Sequence, residues 1–141
     1  EPRLVINGVA IKPGKSMALA FVDEKPVFLL PNNPSAALLT YNLFARSYVH
    51  RLAGRPVSIL KSLVAFSGSK MFGAKGSRTF VMVKLEFDRT CRLIAEPIEV
   101  DGPVSALALT DGFVEIGENE QFVEVDKQVA VTLLRGSASR I

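Results

Sequence analysis

The chain has 141 residues, 48% apolar and 22% charged, the balance of a soluble globular protein, with enough length for one ordinary domain or two small ones around a real core. No stretch approaches the roughly 18 uninterrupted apolar residues of a membrane helix, and a single cysteine, Cys91, excludes an internal disulfide. Cys91 and the single histidine, His50, cannot between them build a Cys/His zinc site, and the inventory reads as that of a reducing, cytoplasmic compartment.

The net charge of +3 hides an asymmetry. Residues 1–92 hold fourteen Lys/Arg against five Asp/Glu, and residues 93–141 hold three against nine. A basic front portion points to an anionic partner, with a plain coexistence of basic and acidic surfaces as the other reading. The start, Glu1-Pro2-Arg3, has neither an initiator methionine nor a signal-peptide layout, as expected of a piece of a longer chain.

In chain order, residues 4–11 are β-rich and broken by Asn7-Gly8, and Lys12-Pro13-Gly14-Lys15 is a turn by composition. Residues 17–22 and 26–30 read as strands buried on both faces, joined by a short loop at 23–25. After Pro31-Asn32-Asn33-Pro34, apolar residues at Leu38, Leu39, Leu43, Phe44 and Val49 predict a helix over 34–52. Gly54 followed by Pro56 stops it. His50 falls near the helix C-terminus, where a surface position suits it better than a catalytic one. From 57 the texture is all-β, with runs at 57–66, 79–87, 91–96, 107–109, 113–116 and 128–134 separated by turn residues, and the tail 135–140 is expected to fray. Two domains follow: residues 1–55, too small for a complete α/β domain and so the last part of one, and residues 56–141, an all-β barrel or sandwich.

Three stretches suit an anion. Asn33 stands at an N-cap position with Pro34 at the first helical one; the amides of Ser35, Ala36 and Ala37 either face out as an anion-binding edge or are closed within a capped helix. Pro13-Gly14 fits the centre of a type II turn that brings Lys12 and Lys15 close, as an oxyanion clamp or as solvated lysines pointing apart. Residues 68–78 are glycine-rich and basic, but Ala74 follows the second glycine where a P-loop needs lysine, so this is a loop that delivers Arg78 to a strand.

Together VAIKPGK and PVFLLPNNPSAALLTYNLFARSYVHRLAG, followed by a β-rich end, resemble the molybdopterin molybdotransferase (molybdenum insertase) family, which includes the E domain of gephyrin. The match is specific over residues 5–54, where two unusual turns fall in the right order, and looser beyond. The resemblance implies an enzyme of molybdenum cofactor biosynthesis, a homodimer that uses Mg2+ to transfer molybdate onto adenylylated molybdopterin with release of AMP. It implies that Lys12, Lys15, Arg78 and Ser105 face molybdate, and that Pro31, Asn33, Pro34 and Ser35 line the pterin side. The Mg2+ ligands are expected outside this chain, so the isolated piece should lack turnover, and no residue of this chain is assigned to a metal or to catalysis.

Departures from the family pattern are Asn32 in place of a glycine, Ser35-Ala36 in place of Val-Ser, and the longer Gly102-Pro103-Val104-Ser105. A non-catalytic oxyanion-binding or partner-binding scaffold on the same fold is the alternative that Asn32 and Ala36 would suit. A nucleic-acid barrel is disfavoured, because both tyrosines sit on the predicted helix and there is no tryptophan to stack bases.

Overall fold

The computed structural model describes residues 1–57, 60–98 and 104–134; of Ser105 and Ala106 it describes the backbone. The chain forms two compact units, Glu1–Ser58 and Ile59–Ile141. It is mostly β, with little helix.

In the first unit, β1 (Arg3–Asn7), β3 (Ala18–Val22) and β4 (Lys25–Leu29) make an antiparallel sheet in the order β1-β3-β4, with the short β2 (Ile11–Lys12) between β1 and β3 in sequence. Asp23 and Glu24 both have positive φ, 47° and 64°, and Val22 pairs with Lys25. Those are the demands of a two-residue hairpin whose twist matches its strands, so the loop is one residue shorter than the composition suggests. Burial on both faces is not what the strands show. β3 is buried at Ala18, half-buried over residues 19–21 and exposed at Val22, and β4 alternates. A continuous apolar run does not reveal which face of a sheet is covered.

The helical rod starts at Pro34 as α1 (Pro34–Thr40), passes through a π-helical turn (Tyr41–Ala45) and ends as α2 (Arg46–Leu52). Gly54, at φ 64°, receives the chain in the left-handed region, and Arg55 N–H donates to the His50 carbonyl at 2.9 Å, a closure that satisfies an otherwise orphaned carbonyl. The π turn departs from the uniform helix predicted over 34–52. Around it, the Thr40 hydroxyl bonds Ala36 and Ala37 carbonyls and the Asn42 amide bonds the Leu38 carbonyl, and such side-chain intrusions disturb the regular ladder.

The second unit is a closed barrel. Strands β7 (Arg78–Phe87), β8 (Leu93–Pro97), β5 (Ser62–Ser67), β11 (Gln128–Leu133) and β9 (Gly112–Ile116) follow one another, and β9 pairs back onto β7. β5 and β8 run parallel and the other pairs antiparallel. Closure removes free sheet edges. The core is built from alternate residues: Val83 and Leu85 of β7, Val114 and Ile116 of β9, Val129 and Val131 of β11, joined by Ala65, Met71 and Ala95. Outside the ring, β6 (Met71–Phe72) pairs with β10 (Phe122–Val123), a ribbon too short for sequence periodicity to show. Residues 107–109 belong to a helix, α3 (Val104–Leu109), and not to a strand. The Ala/Leu alternation VSALAL reads as strand by pattern, but alanine and leucine are strong helix formers and short apolar runs are ambiguous. The expected turn at 101–103 and the tail 135–140 lie outside the described residues.

Two polar devices tie the barrel. Asp111 accepts a hydrogen bond from Leu85 N–H on Oδ2 at 2.8 Å and donates its own N–H to the Val83 carbonyl at 3.0 Å, so it pins β7 beside the start of β9. In the β7–β8 hairpin, Asp88 accepts from the Thr90 hydroxyl and N–H, from Arg92 N–H and from Arg92 Nε, and Arg92 also reaches Asp126 at 2.8 Å. Cys91 takes the left-handed position of that three-residue loop, at φ 61°.

The Thr90 hydroxyl first, then Arg92, holds the Asp88 carboxyl well below the usual carboxylate range. A depressed folded-state pKa stabilises above the unfolded value and is lost as pH falls through and below it. Denaturation midpoints of wild type and Asp88→Asn are therefore expected to differ at pH 7 and to converge on titration from pH 5 towards pH 2. Gly112 generates a second expectation. A β-carbon there would run into the Thr132 carbonyl oxygen and lie 2.9 Å from Val131 Cγ1. Gly112→Ala should cost about 1–3 kcal/mol by overpacking, read from urea unfolding.

Candidate oxyanion site

Lys12 and Lys15 flank a turn that is tightly held but is not the type II turn expected. The Lys12–Pro13 peptide is cis and Gly14 has φ 113°. The hydrogen bonds also fall elsewhere: Met17 N–H donates to the Gly14 carbonyl, Val9 N–H to the Lys15 carbonyl and Gly8 N–H to the Met17 carbonyl, each at 3.0 Å. Proline and glycine therefore shape the turn, but it closes onto the flanking residues 8, 9 and 17 rather than from Lys12 to Lys15. Both lysine side chains are exposed, and among the described residues no carboxylate pairs with either.

This turn sits against α1. A β-carbon on Gly14 would lie 2.6 Å from Thr40 Cγ2 and 3.2 Å from Ile11 Cδ1, so only glycine fits. Thr40 is fully buried, and its hydroxyl donates to the Ala36 carbonyl at 2.8 Å. Ala36 N–H in turn donates to Asn33 Oδ1 at 3.1 Å. The lysine turn and the asparagine turn are thus two parts of one packed body.

Asn33 is the N-cap, at φ −73° and ψ 126°. Its Oδ1 receives Ser35 N–H at 3.0 Å as well as Ala36 N–H, and its carbonyl receives Ala37 N–H at 2.8 Å. Of the two readings of these amides, the structure takes the closed one: they are spent on the cap and form no open anion edge. Ser35 is buried, Pro31 half-buried and Pro34 exposed. Asn32, where the family pattern has glycine, is exposed and does not have positive φ, so this turn places no demand there that asparagine must tolerate.

Arg78 and Ser105 belong to the second unit. Arg78 opens β7 and its guanidinium pairs with Glu115 at 3.2 Å, both side chains exposed. Exposed pairs of this kind are worth about 0–1 kcal/mol, so Glu115 is a weak competitor for any stronger anion. Ser105 lies on α3, and its side chain is outside the described residues. His50 is on the last turn of α2 as expected but is half-buried, and Nδ1 has no partner among the described residues. Sequence reasoning missed Thr40, because a threonine inside a helical run carries no motif, and Glu115, because ion-pair partners on different strands follow from register alone.

Residues 65–134 match the family model for the MoeA C-terminal region (domain IV). A Methanocaldococcus jannaschii protein named for molybdopterin biosynthesis is 30% identical over 94% of this chain and 30% of its own length. The crystal structure of the molybdopterin biosynthesis MoeA protein from Pyrococcus horikoshii superposes with a TM-score of 0.80 at 34% identity, over 95% of this chain and 32% of that one. The chain belongs to the MoeA family. It corresponds to the C-terminal region of MoeA and spans about a third of the length of these relatives. A shorter match, 37% identity over 54 residues, is to a molybdopterin molybdenumtransferase of Staphylococcus aureus. In the first unit, the cap geometry sets an expectation: Asn33→Ala should destabilise the protein by about 1 kcal/mol, whereas Asn32→Gly should be nearly neutral, both by chemical denaturation.

Proposed function

We propose that this chain supplies part of the oxyanion-holding side of a molybdenum insertase, a cytoplasmic homodimer that transfers molybdate onto adenylylated molybdopterin with release of AMP. The first unit, on this reading, is the end of the molybdopterin-binding α/β domain. The observation that carries the proposal is the packing of the Lys12–Lys15 turn onto the helix capped by Asn33, which holds two unneutralised ammonium groups on a rigid support. Membership of the MoeA family and the name of the Staphylococcus relative supply the reaction class.

Molybdate is a tetrahedral dianion and needs converging cations. Lysine brings compact charge, and arginine a directional fork. In the first unit Lys12 and Lys15 would hold the oxyanion, and in the second unit Arg78 and Ser105 keep the roles that the resemblance implies. On the pterin side, Pro31 and Pro34 give rigid walls and Ser35 a short buried side chain beneath them. Asn33, with Oδ1 spent on the cap, offers its side-chain N–H donors. Among the described residues no three His, Cys, Asp or Glu side chains form a group fit for a metal, so no step is assigned here to Mg2+.

Equilibrium binding of molybdate to the full-length protein, with sulfate and tungstate as competitors, tests this. Lys12→Ala/Lys15→Ala should weaken molybdate at least tenfold, about 1.4 kcal/mol. Unchanged affinity in the double lysine variant would falsify the oxyanion assignment.

A further inference from the structure

We propose that Thr40 is a positioning residue for the lysine turn, fixing through Gly14 where Lys12 and Lys15 present their charge. The inference rests on the oxyanion reading above and adds a residue that touches no substrate.

Thr40 carries two different groups on its β-carbon, and the structure uses both. A threonine in a helix divides between two χ1 rotamers because its hydroxyl can bond the carbonyl three or four residues back. Here it bonds both, Ala36 at 2.8 Å and Ala37 at 3.2 Å. That bond selects the rotamer, and the rotamer aims Cγ2 at Gly14. A fully buried hydroxyl without a partner would be costly, so the local carbonyls both satisfy the oxygen and orient the methyl.

The methyl meets the turn at a point where motion would be felt. Gly14 lies between the two lysines, its carbonyl is bound by Met17 N–H, and the Lys15 carbonyl is bound by Val9 N–H. Ile11, buried just before Lys12, touches the same space. Displacing Thr40 Cγ2 therefore releases Gly14 from one side while leaving the antiparallel β3–β4 ladder intact. The anchor runs on through Ala36 to the Asn33 cap, so the two turns assigned to molybdate and pterin are held in fixed relation.

The side chain separates into testable halves in the full-length protein. Thr40→Ser keeps the hydroxyl and removes the methyl; Thr40→Val keeps a methyl and removes the hydroxyl. Thr40→Ser is expected to raise the KM for molybdate about fivefold with kcat within about twofold. It should also speed amide exchange at Val9 and Met17 at least about tenfold relative to the β3–β4 ladder. Thr40→Val keeps a methyl but loses the bond that orients it, so its KM should fall between those of wild type and Thr40→Ser. Gly14→Ala should raise KM, and Gly14→Ala/Thr40→Ser should recover part of the loss, because the 2.6 Å contact is relieved. A general loss of structure would instead lower kcat and thermal stability without separating Ser from Val. Unchanged exchange at Val9 and Met17 in Thr40→Ser would overturn the Thr40 assignment by itself. Faster exchange, with molybdate affinity indifferent to Lys12→Ala/Lys15→Ala, would sink the oxyanion reading and leave Thr40 as a support of the turn.

Discussion

The contact between Gly14 and the methyl of Thr40 joins what the chain keeps apart. Twenty-five residues separate the two positions, with a hairpin and the asparagine turn between them, yet a β-carbon at Gly14 would fall 2.6 Å from Thr40 Cγ2. Both partners are constrained for a second reason as well. Gly14 has φ 113°, which other residues rarely adopt, and Thr40 is fully buried with a hydroxyl that needs an acceptor. The acceptor is the helix's own backbone, and the π turn begins at the next residue. The irregularity of the helix and the seat of the lysine turn thus share one origin.

Charge follows the same division. Glu1–Ser58 holds seven Lys/Arg and three Asp/Glu, whereas Ile59–Ile141 holds ten and eleven. The first unit is thus net basic, whereas in the second a basic stretch up to residue 92 is offset by the acidic residues after it. In the described part of the barrel four cations are paired: Arg92 with Asp88 and Asp126, Lys70 with Glu124, Arg78 with Glu115 and Lys84 with Glu86. Among the described residues Lys12 and Lys15 have no such partners. Paired charge and freely presented charge serve different ends. The first fixes loops, and the second leaves a field for a ligand.

Features governed by local chemistry were legible in the sequence. Asn33 as N-cap, Pro34 at the first helical position and Gly54 as the stop all depend on residues within one turn of the helix, and each is found in its expected place. The resemblance carried by the two proline turns likewise survives comparison with MoeA structures. The Ser35 and Ala36 amides were left between two outcomes, and the Asn33 side chain takes them. Short elements escaped the sequence pattern. The helix at Val104–Leu109 and the Phe122–Val123 ribbon are too short for any period to outweigh propensity and context. The side chain of Ser105 stands outside the described residues, so its assignment rests on resemblance alone.

Because the cap closes the helix N-terminus, the proposed oxyanion site depends on side chains, and the two assigned to it are exposed ammonium groups. Exposed charge is weak charge. At 4 Å a unit pair gains about 1 kcal/mol in bulk water and about 4 kcal/mol at an effective dielectric constant near 20. The lysine turn in open solvent would therefore hold molybdate poorly and distinguish it little from sulfate, however rigidly Thr40 seats it. The same turn under a covering surface that excludes water would gain severalfold in interaction energy with no change in its own geometry. Rigidity supplied by Gly14 and Thr40 is worth most in that setting, since a fixed ammonium pair repays desolvation only if it stays where the ligand's oxygens are. On this argument the support of the site is contained in this chain, and its strength depends on what is brought against it.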